Sequence, residues 1–270
     1  MTLFDDLDVN TIIHGDCLDI IPKLPEHSID LIITDPPFNV MNKTDLKFKH
    51  RADITQKVSF DQFESYPAYL EFTEKWIKEI SVKMKQDSSI YVFFAVQFIT
   101  DLMKICLSYD MKYKGVLIWH KSNPAPKIRK SGYLSSTEAI LFMVRGNPPF
   151  HFLGQNKMHN LITTPICMGE ERLRQEISEY ASDSNEKEVH TLHPTQKPMA
   201  LYEHLLKVSS NQGDLVLDPF AGTGTANAAC RKLNRFCIAI EKNEKYVQSA
   251  KKRLTRIKNR IPASRLDDWI

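Results

Sequence analysis

Short apolar runs alternate along this chain with stretches of helical spacing, and most of the runs are closed by a turn or an acid. Ile29-Asp30-Leu31-Ile32-Ile33 is β-branched and is stopped by Pro36 and Pro37, so it reads as a buried strand ending at Thr34. Thr11–His14 is a shorter strand, and Leu18, Ile20, Ile21 and Leu24 mark a helix between the two, giving a βαβ unit. Tyr69, Phe72, Trp76, Ile77 and Ile80 recur at helical spacing after Tyr66-Pro67. Strands are expected at Ser89–Phe94, Tyr113–Trp119 and Thr137–Val144, with a helix over Phe98–Leu107. Later come a helix from Met199 to Val208, a strand from Asp214 to Asp218, a small-residue helix over Ala226–Cys230, a strand over Phe236–Glu241 and a basic helix from Asn243. This alternation predicts an α/β fold with a largely parallel sheet and helices on both faces.

Two stretches break the pattern. Met41–Phe60 is polar and basic, and Arg145–His190 loses regularity, with Ala181–Glu188 polar enough for a linker or disorder. The expected organisation is a single domain over residues 1–270: a catalytic half at about 11–144, an inserted target-recognition region at about 145–190, and a cofactor-binding half at about 191–260.

Composition narrows the class without naming a chemistry. A 42% hydrophobic content supports a sizeable core, and no run approaches transmembrane length. The acidic N-terminus lacks a basic leader, and the five cysteines are scattered with no C-x-x-C. These features predict a reducing, cytoplasmic setting and no structural metal. Net charge is only +3, so affinity for nucleic acid has to come from local patches. Two such patches are the Met41–Phe60 loop (Lys43, Lys47, Lys49, Arg51) and the proline-stiffened stretch His120–Lys130 (Lys121, Lys127, Arg129, Lys130). Each reads either as a solvated loop or as a phosphate contact, and each follows a strand whose carboxyl end faces the ligand crevice.

Candidate chemistry lies at two strand ends. Asp35-Pro36-Pro37-Phe38 is stiff, short of N–H donors and rich in acceptors. A carboxylate and carbonyls beside an aromatic ring suit a planar group bearing an exocyclic NH2, such as adenine or cytosine; a plain proline turn with an Asp cap fits the residues equally. Asp218-Pro219-Phe220-Ala221-Gly222-Thr223-Gly224-Thr225 joins a strand to a helix N-terminus through glycines, forming a nest for a cofactor. Glu241 closes the next strand at about the interval expected of an acid that grips ribose hydroxyls. Asp16 is either a ligand group at the sheet's carboxyl edge or a helix N-cap.

Taken together and in this order, the motifs resemble the β-class DNA amino-methyltransferases, which make N6-methyladenine or N4-methylcytosine. The similarity runs from Ile12 to about Lys258, with Asp35–Phe38 first, a recognition region next, and His193–Pro198 and Asp218–Gly224 last. It implies a Rossmann-like S-adenosylmethionine-dependent fold with permuted motifs. Asp35, Pro36, Pro37 and Phe38 are then catalytic, binding and stacking on the target base. Asp16, Asp35, Thr195, Lys197, Asp218, Pro219, Phe220, Gly222, Gly224, Thr225 and Glu241 surround the cofactor, with Thr195 and Lys197 in the motif that holds the methionine carboxylate. The family's cytosine-N4 members mostly carry Ser before the prolines, so Asp35 favours adenine. The resemblance leaves room for a homodimer and a cognate restriction endonuclease as partners. The rival readings are an N4-cytosine enzyme, an RNA or protein amide methyltransferase, and a catalytically silent DNA-binding subunit.

Overall fold

The computed structural model describes residues 10–38, 63–126, 132–167, 196–255 and 257, together with the backbone of 174–176 and 189–191. Among them are β1 (Ile12–His14), α1 (Cys17–Ile20), β2 (Ile29–Thr34), α2 (Tyr66–Lys83), β3 (Met84–Phe94), α3 (Ile99–Leu107), β4 (Lys112–Lys121), β5 (Thr137–Arg145) and β6 (Leu161–Thr164). The short pair β7 (Arg174–Glu176) and β8 (Val189–Thr191) precedes α4 (Met199–Ser209), β9 (Leu215–Asp218), α5 (Thr225–Lys232), β10 (Phe236–Glu241) and α6 (Glu244–Thr255).

Eight strands form one sheet in the order β1-β10-β9-β2-β3-β5-β4-β6, while β7 and β8 pair separately. All neighbours in the large sheet run parallel except β5, which is antiparallel to both β3 and β4. The apolar run 139–144 announces a buried strand, but its period is the same in either direction, so the reversal was not readable. It has a chemical consequence: β5 begins, rather than ends, at the sheet edge where the parallel strands finish.

Burial on both faces explains the continuous apolar runs. Ile32, Ile90, Val92, Leu217 and Ile240 face one side with α2 and α3, where Trp76, Ile77, Ile80 and Leu102 cover them. Leu31, Ile33, Tyr91, Phe93, Val216 and Ala239 face the other, beneath Leu201, Tyr202, Leu205, Ala229 and Val247. Neighbouring residues of one strand thus feed two separate cores, as the pleat requires.

Local chemistry sets the boundaries. The Ser65 side chain caps α2 by accepting from the Ala68 N–H, and Pro67 fits the first turn, where no backbone donor is needed. The expected first helix is split: α1 is one turn, and a 3-10 turn over Ile21–Lys23 follows with Pro22 near its start. β4 continues through His120 and Lys121, which sequence places in a loop, because both residues pair with β6. Leu161–Thr164 lies within the expected recognition region yet joins the main sheet in parallel with β4. No helix among the described residues is long and apolar enough to cross a membrane.

Candidate active site

Four adjacent parallel strands end in a row of acids at one edge of the sheet. Moving across, β1 leads to Asp16, β10 ends at Glu241, β9 ends at Asp218, and β2 leads to Asp35. Adjacent strands lie about 4.8 Å apart, so the topology alone gathers four carboxylates that are far apart in sequence.

Each acid is held differently. Asp16 caps α1, accepting from the Leu18 N–H at 3.0 Å, and pairs with Lys242 at 2.8 Å. Burial works against its charge, but Lys242 and the Leu18 N–H outweigh it and hold the carboxyl below its ordinary range. Of the two sequence readings of Asp16, the helix cap is observed, and the same side chain stands at the sheet's carboxyl edge. Glu241 accepts from the Gly222 N–H at 2.8 Å and from the Asn243 N–H at 2.7 Å. Its carboxyl is raised all the same, because burial dominates over these bonds. The glycine loop and the acid that closes the next strand are thus physically joined.

Asp218 is buried. Its Oδ1 accepts from the Thr34 hydroxyl at 3.0 Å and the Phe220 N–H at 3.2 Å. Burial above all pushes its carboxyl up to about 7, with nearby Asp35 and Glu241 adding to the rise against those two bonds. A carboxyl raised in the folded state binds its proton more tightly there than in the unfolded chain. The stability it lends is present below the ordinary carboxyl value of 3.8 and is lost as pH rises through about 7. Asp218→Asn keeps an oxygen for both donors and removes the buried charge. It should stabilise the fold at pH 8 by roughly 1–3 kcal/mol, with the gain closing towards pH 4. Denaturant unfolding at the two pH values measures this; a gain independent of pH would disprove it.

The glycine loop is built for close approach. Gly222 and Gly224 have φ of 52° and 73°. A Cβ on Gly224 would come within 2.8 Å of Ile12 Cδ1 and 3.0 Å of Ala250 Cβ, so this residue seats α5 against β1 and α6. The Phe220 ring meets Trp76 and Phe72 edge-on, with centroids 5.5 and 6.0 Å away. Pro219 is buried, and the Thr225 hydroxyl donates to the Lys197 carbonyl at 3.3 Å.

At Asp35 the turn is fixed from several sides. The Pro37 carbonyl accepts from the Tyr69 hydroxyl at 3.1 Å. Asp35 Oδ2 lies 2.5 Å from Lys197 Nζ, which also lies 3.2 Å from Glu138 Oε2. The same ammonium lies over the rings of Phe38 and Phe93, at 5.4 and 5.3 Å. Burial opposes the charge on Lys197, but Asp35 and Glu138 outweigh it and raise the ammonium above its ordinary value.

A family model of N6/N4-type DNA methylases matches residues 29–252 of this chain. The chain belongs to this family. The DNA methylase is 32% identical over 261 residues to the type II methyltransferase M.HinfI of Haemophilus influenzae, covering 93% of this chain and 69% of that protein. Its fold is similar to that in the crystal structure of the M1.HpyAVI–SAM complex, with a TM-score of 0.62 and 25% identity over 90% of this chain and 98% of the other. The PvuII DNA methyltransferase, described as cytosine-N4-specific, gives a TM-score of 0.67 at 18% identity, covering 98% of this chain and 94% of that one. At that identity the likeness speaks for the fold alone. The methylase thus has the α/β architecture of this enzyme class, with Asp35–Phe38 directly after β2 and the glycine loop after β9.

Placement differs among the residues singled out from sequence. Asp16, Asp35, Asp218 and Glu241 come together at one edge, as do the glycine loop and Phe38. Lys197 sits on Asp35. Lys121 is ion-paired with Glu138 at 2.7 Å and lies over Trp119, so its charge is largely answered within the protein. Thr195, Lys43, Lys47, Lys49, Arg51, Lys127, Arg129 and Lys130 lie outside the described residues, as do Ala181–Glu188 and the basic residues from Lys258 on. Sequence reasoning passed over Glu138, an acid at the head of an otherwise apolar strand, and Tyr69, whose helical spacing suggested only core. A lysine between two prolines and aromatic strands was the available signal for Glu138, since a buried ammonium requires carboxylates nearby.

Proposed function

We propose that this methylase transfers a methyl group from S-adenosylmethionine to the exocyclic N6 of adenine in DNA, acting on a base turned out of the helix. The observation that carries the reading is the rigid Asp35-Pro36-Pro37-Phe38 turn at the carboxyl edge, with Asp35 and Pro37 both anchored by side chains from other elements. The residues at this edge fit the cofactor chemically. Glu241 is a half-buried, backbone-anchored carboxylate suited to a ribose diol, and the row of acids suits a ligand bearing an ammonium and a sulfonium. Asp16, Glu241, Asp218 and the Phe220–Thr225 loop would hold it.

When bound, S-adenosylmethionine supplies an electrophilic methyl on a cationic sulfur. The chain's own part is to prepare the nucleophile. An exocyclic amine is weak because its lone pair is conjugated into the ring. Asp35 and the Pro36 carbonyl accept its two hydrogens, drawing the nitrogen towards tetrahedral geometry and localising that pair. Phe38 covers the base, and the fixed turn supplies alignment. Asp35 also offsets positive charge as it develops on the amine.

Adenine is favoured over cytosine because an acid, rather than a serine, precedes the two prolines. Lys43, Lys47, Lys49, Arg51, Lys127, Arg129 and Lys130 are assigned to phosphate contacts in this reading, and residues 145–190 to site recognition. The type II relative extends the reading to a cytoplasmic restriction–modification setting, with a cognate endonuclease and a second copy of the chain as partners. Genomic DNA from cells expressing the chain should contain N6-methyladenine when digested and analysed by nucleoside mass spectrometry. N4-methylcytosine as the sole new base would overturn the assignment.

A further inference from the structure

We infer that Tyr69 is a positioning residue for Phe38: its hydroxyl holds the one soft backbone torsion between Asp35 and the ring that covers the base. The inference rests on the reading of Asp35–Phe38 as the site of the target base. A residue before proline is confined to extended ψ, which restrains Asp35 and Pro36, and the pyrrolidine rings fix φ of Pro36 and Pro37. The first unrestrained torsion after Asp35 is therefore ψ of Pro37. That torsion orients the Pro37 carbonyl and, in the same peptide plane, the amide of Phe38. Neither proline has an N–H, so the backbone at both can be held only through a carbonyl. The Tyr69 hydroxyl donates to the carbonyl that reports this torsion, that of Pro37, at 3.1 Å.

Tyr69 is a firm anchor. It stands near the start of α2 and is buried, and the Thr73 hydroxyl donates to its carbonyl at 2.8 Å. Its ring stacks on Phe94 with centroids 6.0 Å apart and meets Phe63 and Phe98 at 5.1 and 5.4 Å. These contacts belong to one face of the sheet, whereas Phe38 packs against the core on the other. The hydrogen bond to Pro37 thus carries the rigidity of one core across to a ring seated on the other. Space-filling alone would be served as well by phenylalanine. A buried phenol obliges the fold to supply a partner, and here an atom of the base-binding turn is that partner.

The test combines single-turnover methylation at saturating S-adenosylmethionine and duplex DNA, titrations of both, and the emission of 2-aminopurine placed at the target base. Tyr69→Phe keeps the ring and its packing and deletes the hydroxyl. Transfer should slow about 10-fold, part of the loss that a misplacement of about 1 Å brings, with both dissociation constants within about three-fold of the parent. The emission should move from the parental value towards that of Phe38→Ala, in which the stacking ring is gone. In the Phe38→Ala background, Tyr69→Phe should add less than about two-fold, because the torsion has no ring left to place. Tyr91→Phe is the matched control: it deletes a buried hydroxyl bonded to Ser209 at 2.7 Å and should keep the parental rate and emission. A parental rate and emission in Tyr69→Phe, a full additive loss in the double variant, or equal slowing in Tyr91→Phe would each overturn the inference. Phe38→Ala and Asp35→Asn separate the two levels. Parental rates in both would remove the reading of the turn and the inference with it, whereas losses in both beside a parental Tyr69→Phe would remove only the role of Tyr69.

Discussion

Asp35→Ala should abolish methyl transfer, by 1,000-fold or more in single turnover, and leave affinity for S-adenosylmethionine within a few-fold of the parent. Removing one well-placed electrostatic partner of a developing charge costs on the order of 10²–10³ in rate, and in the proposed mechanism Asp35 also localises the amine lone pair. The loss should be confined to transfer because the groups proposed to hold the cofactor stand on other strands: Glu241 on β10, the glycine loop after β9, and Asp16 after β1. Stability bears on the interpretation. Taking Asp35 away leaves the buried Lys197 with Glu138 as its remaining carboxylate, and a buried charge that loses a partner is costly. Circular dichroism and a cofactor titration on the same sample therefore belong with the rate measurement. Residual transfer above about one per cent with binding intact would show that the amine is prepared by another group.

The order of elements was legible because local rules suffice for it. Apolar runs bounded by prolines or acids, helical spacing in Tyr69–Ile80, and glycines between a strand and a helix each depend on a few neighbouring residues. Both faces of the sheet are covered, as the unbroken runs Leu31–Ile33 and Val92–Phe94 imply. The gathering of Asp16, Asp35, Asp218 and Glu241 was legible too, because parallel strands necessarily finish at a common edge.

What escaped depends on partners distant in sequence. The direction of β5 is written in no residue of that strand, and with it went the pairing of Glu138 with Lys197, which exists only because β5 starts where β2 ends. The contact of the Lys197 side chain with Asp35, 162 residues earlier, is likewise written in no neighbouring residue. His120 and Lys121 looked like loop because they are polar, but β6 supplies the pairing that keeps them in the sheet.

Glu241→Ala should act on the cofactor and leave the amine site alone. The Glu241 carboxylate spans the Gly222 N–H on the glycine loop and the Asn243 N–H ahead of α6, so it braces both segments of the proposed cofactor nest. Removing it deletes the acceptor proposed for the ribose hydroxyls and leaves those two N–H groups to find water. Charge-assisted hydrogen bonds of this kind contribute roughly 1–3 kcal/mol, which corresponds to about 5- to 150-fold in the cofactor's dissociation constant. Part of that loss comes from the loosened loop, so Glu241→Gln, which keeps one acceptor oxygen, should recover a measurable share. Because burial holds the Glu241 carboxyl above its ordinary value, cofactor affinity should also weaken as pH falls towards that raised value, and this dependence should vanish in the alanine variant. Calorimetric titration of both variants between pH 5.5 and 8 gives the affinities directly. At saturating cofactor the Glu241→Ala rate should return to within about ten-fold of the parent, which Asp35→Ala cannot do at any concentration. Equal loss of cofactor binding in the two variants would mean that the amine site and the cofactor nest are not separable along this edge of the sheet.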